Sequence, residues 1–204
     1  MSVAGDAMMA PDLHIDSLYR AHFSDVRRFV FHFVQNPALA DELAQDAFLK
    51  AYEAWSSFRG EAPERIWLLR IARNVCLDYL RSPRARQTKA VPLDEGRGIA
   101  TPGCELPLTV EQAARQAEMT DCVQRFVLSL PETLRTPLIL HDMEGLTNAQ
   151  IAQVVGISLA AAKMRLHRAR ARLRQMMEER CDLFYDERNV LSCLPLGPVG
   201  RPEG

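Results

Sequence analysis

The chain has 204 residues, 48% of them hydrophobic, only 10 glycines and a formal net charge of −1. That apolar content supports a packed core and excludes wholesale disorder, and the length suits one large domain or two small ones. No apolar run approaches the ~20 residues that a bilayer span needs, so membrane insertion is excluded as an expectation.

Residues 1 to about 11 read as a loose tail. They lack the basic start and apolar run of a signal peptide. From Leu13 to Arg81 the pattern is helical almost throughout. Asn36-Pro37 predicts a helix start, with Asn as the cap and Pro in the first turn. Behind it Ala40, Leu43, Ala44, Ala47, Phe48, Ala51 and Trp55 recur at three- and four-residue steps, which makes one apolar stripe. Asp41, Glu42, Gln45, Asp46 and Lys50 lie off that stripe. The segment Ser56 to Pro63 breaks the period and predicts a loop. A second helix is predicted from about Glu64 to Arg81, ended by Ser82-Pro83.

Residues 83–108 hold Pro83, Pro92, Gly96, Gly98, Pro102, Gly103 and Pro107. No period survives there, so the segment reads as a flexible linker. Helical pattern resumes near Thr109 and runs to about Glu178, with a break at Leu130-Pro131. Pro137 is expected to kink or restart the helix. No strand is predicted anywhere, and the last 25 residues or so read as irregular. The expected fold is all-α: two small helical domains, 13–82 and 109–178, joined by the linker 83–108 and followed by a tail, 179–204.

The segment from Gly145 to Ser158 has helix-turn-helix grammar. Thr147 can cap a short helix, with Ile151 and Val155 facing inward. Gly156 supplies a left-handed turn residue, and Ser158 caps the second helix. On that second helix Ala162, Leu166, Ala169 and Leu173 share one face. Ala160, Ala161, Lys163, Met164, His167, Arg168 and Arg174 point away from it. From Thr147 to Arg180 seven Lys and Arg face two Glu, a local net charge of +5 on a neutral chain. Such a helix enters the major groove with its first residues near base edges, while arginines further along grip phosphates. Lys163 can donate to guanine, and the alanines can touch thymine methyls. A solvated basic helix in a bundle is the blander alternative.

The two halves together carry a resemblance. ALADELAQDAFLKAYEAWSSFRGE, followed by RIWLLRIARNVCLDYLR, and then LPETLRTPLILHDMEGLTNAQIAQVVGISLAAAKMRLHRARARLR, resemble the extracytoplasmic-function (ECF) sigma factors over about residues 13–82 and 115–176. The resemblance implies that core RNA polymerase and promoter DNA are partners, and that an anti-sigma factor can be one. Asp41, Glu42, Gln45, Asp46 and Phe48 would match the polymerase contact. Ser56, Ser57, Phe58 and Arg59 would match the loop that takes a flipped base of the −10 element, with Arg70, Arg73 and Asn74 on the adjoining helix. Ser158, Ala160, Ala161, Lys163, Met164, Arg165, His167 and Arg168 would meet the −35 element. Ala160-Ala161-Ala162 departs from the more varied, β-branched residues usual at this helix start. A free-standing helix-turn-helix regulator with a helical sensor domain is the competing expectation.

The five cysteines include no CxxC, so a disulfide framework is not expected and a reducing cytoplasm is. Cys181 and Cys193, twelve residues apart in the tail, could form a redox disulfide or supply two zinc ligands; two incidental thiols is the preferred reading. A sensor built on this thiol pair is a third expectation. The five histidines share no metal-ligand spacing, and no GxGxxG, P-loop, GxSxG or HExxH occurs. No cofactor, no metal and no enzymatic activity are therefore expected.

Overall fold

The computed structural model describes residues 11–88, 123–185 and 191–195. The expected flexible linker, apart from its first six residues, and the extreme tails lie outside them. The described residues gather into two compact units. One is built from those of Met1–Asp94 and Ile139–Ala162, the other from those of Glu95–Leu138 and Lys163–Gly204. Contact thus groups 139–162, expected in the C-terminal domain, with the N-terminal helices.

The first unit centres on three mutually packed helices, α1 (Pro11–Val34), α2 (Pro37–Ala54) and α3 (Glu64–Arg81). The α1–α2 corner is set by two residues. Gln35 takes a left-handed φ of 51°. Asn36 then caps α2, its side chain accepting from the Leu39 amide at 3.0 Å, with Pro37 in the first turn as expected. The predicted stripe of α2 is buried from Ala40 to Ala51. On α1 the buried apolar positions are Leu18, Val26, Phe29, Val30 and Phe33, with His32 buried beside them. α3 contributes Ile66, Leu68, Leu69, Ala72, Val75, Cys76 and Leu77, so its apolar face is wide. Its end at Arg81 matches the expected stop. The chain does not become irregular there, however. Ser82 accepts from the Ala85 amide at 3.3 Å and starts α4 (Pro83–Thr88), which corrects the first residues of the expected linker. The signal was in the sequence, because Ser-Pro is also a cap followed by a first-turn proline.

The same unit includes a π-helical turn, Ile139–Met143, which packs on α1, and α7 (Asn148–Val155), which packs on α3. The turn closes with the Glu144 amide donating to the Ile139 carbonyl at 3.1 Å. Gly145 follows with φ 69°, a left-handed conformation that costs glycine little. Glu144 is seated by this turn with its side chain fully buried. Arg28 of α1 grips it in a fork, Nε to Oε1 at 3.2 Å and Nη2 to Oε2 at 2.8 Å. Arg65 of α3 donates to Oε2 at 3.1 Å and to the Glu144 carbonyl at 3.2 Å. Asp25 joins them, accepting from Arg65 at 2.9 Å and from Arg28 at 2.9 Å. Burial pushes the Glu144 carboxyl up, and the two guanidiniums only partly offset it. At Asp25 burial also pushes up, but Arg65 and Arg28 together outweigh it and hold the carboxyl below its usual range.

In the second unit, α5 (residues 123–129) and α6 (Glu132–Leu138) flank the break at Leu130-Pro131. Arg135 spans the break, its Nη1 donating to the Leu128 carbonyl at 3.1 Å. Pro137 is tolerated one residue before α6 ends, and the chain leaves the α-helical path at the next residue, as a proline restart requires. α8 (Leu159–Arg180) is one continuous helix. It leads directly into a hairpin of β1 (Cys181–Tyr185) and β2 (Leu191–Pro195), antiparallel with Leu183 opposite Cys193. This hairpin corrects the expectation of no strands and an irregular tail. The fold is otherwise all-α.

Candidate nucleic-acid interface

The helix-turn-helix forms from local signals. Thr147 and Gln150 make a capping box: the Thr147 side chain accepts from the Gln150 amide and Gln150 returns a bond to the Thr147 amide. Thr147 is the cap that the sequence predicts, and Thr-x-x-Gln is the local signal of its Gln150 partner. Gly156 ends α7 at φ 75°, and the amides of Gly156 and Ile157 both donate to the Ala152 carbonyl, at 2.9 and 3.0 Å. This left-handed cap turns the chain within three residues. Ser158 then caps α8, its hydroxyl accepting from the Ala161 amide at 3.2 Å. One inward position differs from expectation. Ile151 and Val154 are the buried residues of α7, while Val155 is half-buried, because the inner face continues at the three-residue step.

On α8 the expected inner face holds. Ala162, Leu166 and Ala169 are buried and Leu173 is half-buried. Ser158, Ala160, Lys163, Met164, His167 and Arg168 are exposed, and Ala161 and Arg165 are half-buried. Two large apolar side chains stand in water at the start of the helix, Met164 at 52% and Leu159 at 45% exposure. Leu159 carries no sequence signal of exposure, because an apolar first-turn residue reads as core. Further along, Arg172 donates to Gln175 at 2.8 Å, which holds one arginine along the rod.

The loop after α2 begins as a 3₁₀ turn, Trp55–Ser57, with the Ser57 hydroxyl donating to the Ala54 carbonyl at 2.7 Å. Ser56, Ser57 and Arg59 are exposed. Phe58 is not a free stacking ring. It stacks on Trp55 at 5.2 Å between centroids and tilts against Trp67 at 4.8 Å, and the two tryptophans meet edge-on at 5.8 Å. The three rings brace the loop against the start of α3, so all three aromatics act first as structure. Along α3, Arg70 and Asn74 are exposed and Arg73 is half-buried, with Arg73 donating to Asn74 at 3.3 Å.

On α2, Gln45 and Asp46 are exposed. Asp41 is paired with Arg27, and Glu42 with Arg84, whose Nη2 lies 2.9 Å from Oε2. The hydrogen bond from Arg84 holds the Glu42 carboxyl below its usual range. Phe48 is only 5% exposed, packed beside Tyr19 and Phe23, and it lines a shallow groove at this surface. The most exposed apolar residues there are Leu49 and Tyr52, at 63% and 51%, which line that groove with Ile15, Tyr19, Gln45 and Phe48. Both lie off the stripe, and that departure was the available signal.

The hairpin register sets Cys181 opposite Pro195 and Cys193 opposite Leu183. The two cysteines are therefore two rungs out of step, beyond the Cα separation a cross-strand disulfide needs. Cys181 is buried and forms no disulfide. Among the described residues no group of three or more His, Cys, Asp or Glu is placed to hold a metal ion. No helix among them is long and apolar enough to cross a membrane.

Two family models match the chain in order, Sigma-70 region 2 over residues 18–86 and Sigma-70 region 4 over residues 120–173. The ECF RNA polymerase sigma factor SigM of Mycobacterium tuberculosis is 33% identical over 175 residues, covering 86% of this chain and 80% of that protein. The chain belongs to the ECF RNA polymerase sigma factors. The RNA polymerase sigma factor YlaC of Bacillus subtilis is 29% identical across 80% of this chain and 91% of its own. The sigma-H factor of Pseudomonas aeruginosa is 34% identical across 69% and 74%. The fold is shared with CnrH, solved in complex with the cytosolic domain of CnrY, at a TM-score of 0.58 and 23% identity over 82% of this chain and 90% of that one. It is shared too with RpoE of Bartonella quintana, solved with the anti-sigma factor NepR, at 0.57 and 21% over 81% and 97%. A sigma factor directs promoter-specific initiation of transcription, so this one works with RNA polymerase and promoter DNA. A free-standing regulator is not favoured, because both halves match one family in one order.

Proposed function

We propose that this ECF sigma factor divides promoter recognition between α3 with its preceding loop and the start of α8. The observation that carries the reading is the lead of α8. A capped helix N-terminus presents Ala160, Lys163, Met164, His167 and Arg168 over a buried Ala162, Leu166 and Ala169. Major-groove readers present a helix in this manner, its leading residues free to reach bases while its other face is anchored. Lys163 donates to a guanine edge in the −35 element. Ala160, Met164 and the flanking Leu159 make apolar contact with thymine methyls, and Ala161 and Arg165 flank them. Arg168, Arg170 and Arg172 take phosphates.

Ser56, Ser57 and Arg59 grip a flipped −10 base, with Phe58 bracing the loop, and Arg70, Arg73 and Asn74 lie along that strand. Gln45 and Asp46, with the apolar groove of Leu49 and Tyr52, form the centre of the polymerase contact; Asp41 and Glu42 stand at its edge. Functionally the chain divides as 13–82, a linker 83–108, 109–178 and a tail 179–204. It acts by binding, not by catalysis, in the cytoplasm, where its thiols stay reduced. CnrH and RpoE were solved with CnrY and the anti-sigma factor NepR, and a protein of that kind restrains this one.

The test compares Lys163→Ala with the unaltered protein, each with core polymerase, on promoters substituted one base pair at a time through the −35 element. The variant is expected to bind the best promoter roughly 10- to 100-fold more weakly and to stop discriminating at one guanine. Uniform weakening at every position would instead make Lys163 a phosphate contact.

A further inference from the structure

The arrangement that seats α7 on α3 sets a length problem. The −10 and −35 elements are centred about 25 base pairs apart, roughly 85 Å of duplex at 3.4 Å per step. DNA that short is stiff, since its persistence length is about 150 base pairs. α7 and α3 pack directly within the first unit. Only Gly156, Ile157 and Ser158 separate α7 from the start of α8, a reach of about 11 Å at most. While α7 rests on α3, the reading end of α8 cannot stand roughly 85 Å from the −10 helix. The contact must therefore break before both elements are read.

The contact is closed by the polar cluster around Glu144. We propose that Asp25, Arg28, Arg65 and Glu144 form a clasp that holds α7 on α3 in the DNA-free protein and opens when the promoter is engaged. The inference rests on assigning −10 reading to α3 and −35 reading to α8. Glu144 is presented by a stiff stretch: the π-turn behind it, Gly145 at φ 69° and the buried Leu146 ahead, then the Thr147 cap of α7. Its carboxylate meets both Arg28 and Arg65, while Arg65 also holds its backbone carbonyl. Asp25 orients both guanidiniums from the other side. An ion cluster whose one fully buried member is Glu144, with Asp25, Arg28 and Arg65 still partly in water, suits a reversible contact. Its attraction is largely offset by desolvation, so opening returns the charges to water at little net cost, whereas deleting one partner leaves the others unbalanced.

The experiment uses the full chain with a fluorophore pair introduced as unnatural amino acids at Asp78 on α3 and Gln153 on α7, both exposed. Single-molecule energy transfer is read for the free protein and for its complex with core polymerase and a promoter fragment. The free protein should show one short-distance population, and the promoter complex a long one. Glu144→Gln should raise the open fraction of the free chain about tenfold, and adding Arg65→Gln should add little more, since both act on one cluster. Far-UV circular dichroism reports folding; if Glu144→Gln loses helix, Arg28→Gln, at a half-exposed position, carries the same test. A folded variant with an unchanged distance distribution overturns the clasp. So does a short distance that persists while the promoter complex initiates. If Glu144→Gln opens the free chain but the unaltered protein directs no initiation, the clasp stands and the assignment of α3 and α8 to promoter elements falls.

Discussion

α3 and α8 are both assigned to DNA, yet they are built differently. α3 buries seven residues in its 18. α8 buries Ala162, Leu166 and Ala169 in its 22. The first is a core element with only an outer strip left for the nucleic acid it is proposed to touch; the second is a rod anchored on a narrow seam. A helix that holds up its own domain has few positions free for reading. In the proposed reading its contribution to promoter melting comes from the loop before it, where Trp55, Phe58 and Trp67 brace exposed serines. The rod can change its exposed residues without touching the fold, so sequence preference is free to vary there.

The comparison breaks most visibly in stability. Leu69→Ala on α3, at a fully buried site, should cost about 3 kcal/mol in denaturant unfolding, whereas Met164→Ala on α8 should stay within about 0.5 kcal/mol. Equal losses would erase the distinction. The next effect sharpens the rod's placement. Gly156→Ala forces a β-carbon into φ 75° and should lower the melting temperature through a loss of about 1–2 kcal/mol. Thr147→Ala removes one half of the capping box and should cost about 1 kcal/mol, with promoter binding weakened in step with helix fraying. The smallest effect separates phosphate grip from base reading. Arg168→Ala should make the slope of log affinity against log salt shallower by about 0.9, equally on matched and mismatched promoters.

What the sequence made legible was local. Asn36-Pro37, Thr147, Gly156 and Ser158 each fix a helix end through bonds within three or four residues, and all four behave as read. The seam of α8 follows from periodicity alone. The hairpin after Arg180 was hidden because CDLFY and LSCLP alternate weakly and are separated by a charged run. Phe48 belongs to the stripe by its position, and its share in the groove beside Leu49 and Tyr52 shows only in the packing. The Glu144 cluster could not be seen locally at all. HDMEG reads as a polar turn, and its partners Arg28 and Arg65 stand 116 and 79 residues away in the chain. Pairings at such separation are set by packing, which no short window carries.

The central claim is that this chain gives core RNA polymerase a promoter preference through two separate helical readers. Run-off transcription with purified core polymerase on a promoter library tests it most directly. Start sites that occur only with this protein, and that need both elements at fixed spacing, are the expected result. Specific duplex binding with no new start sites, or initiation indifferent to that spacing, would contradict it.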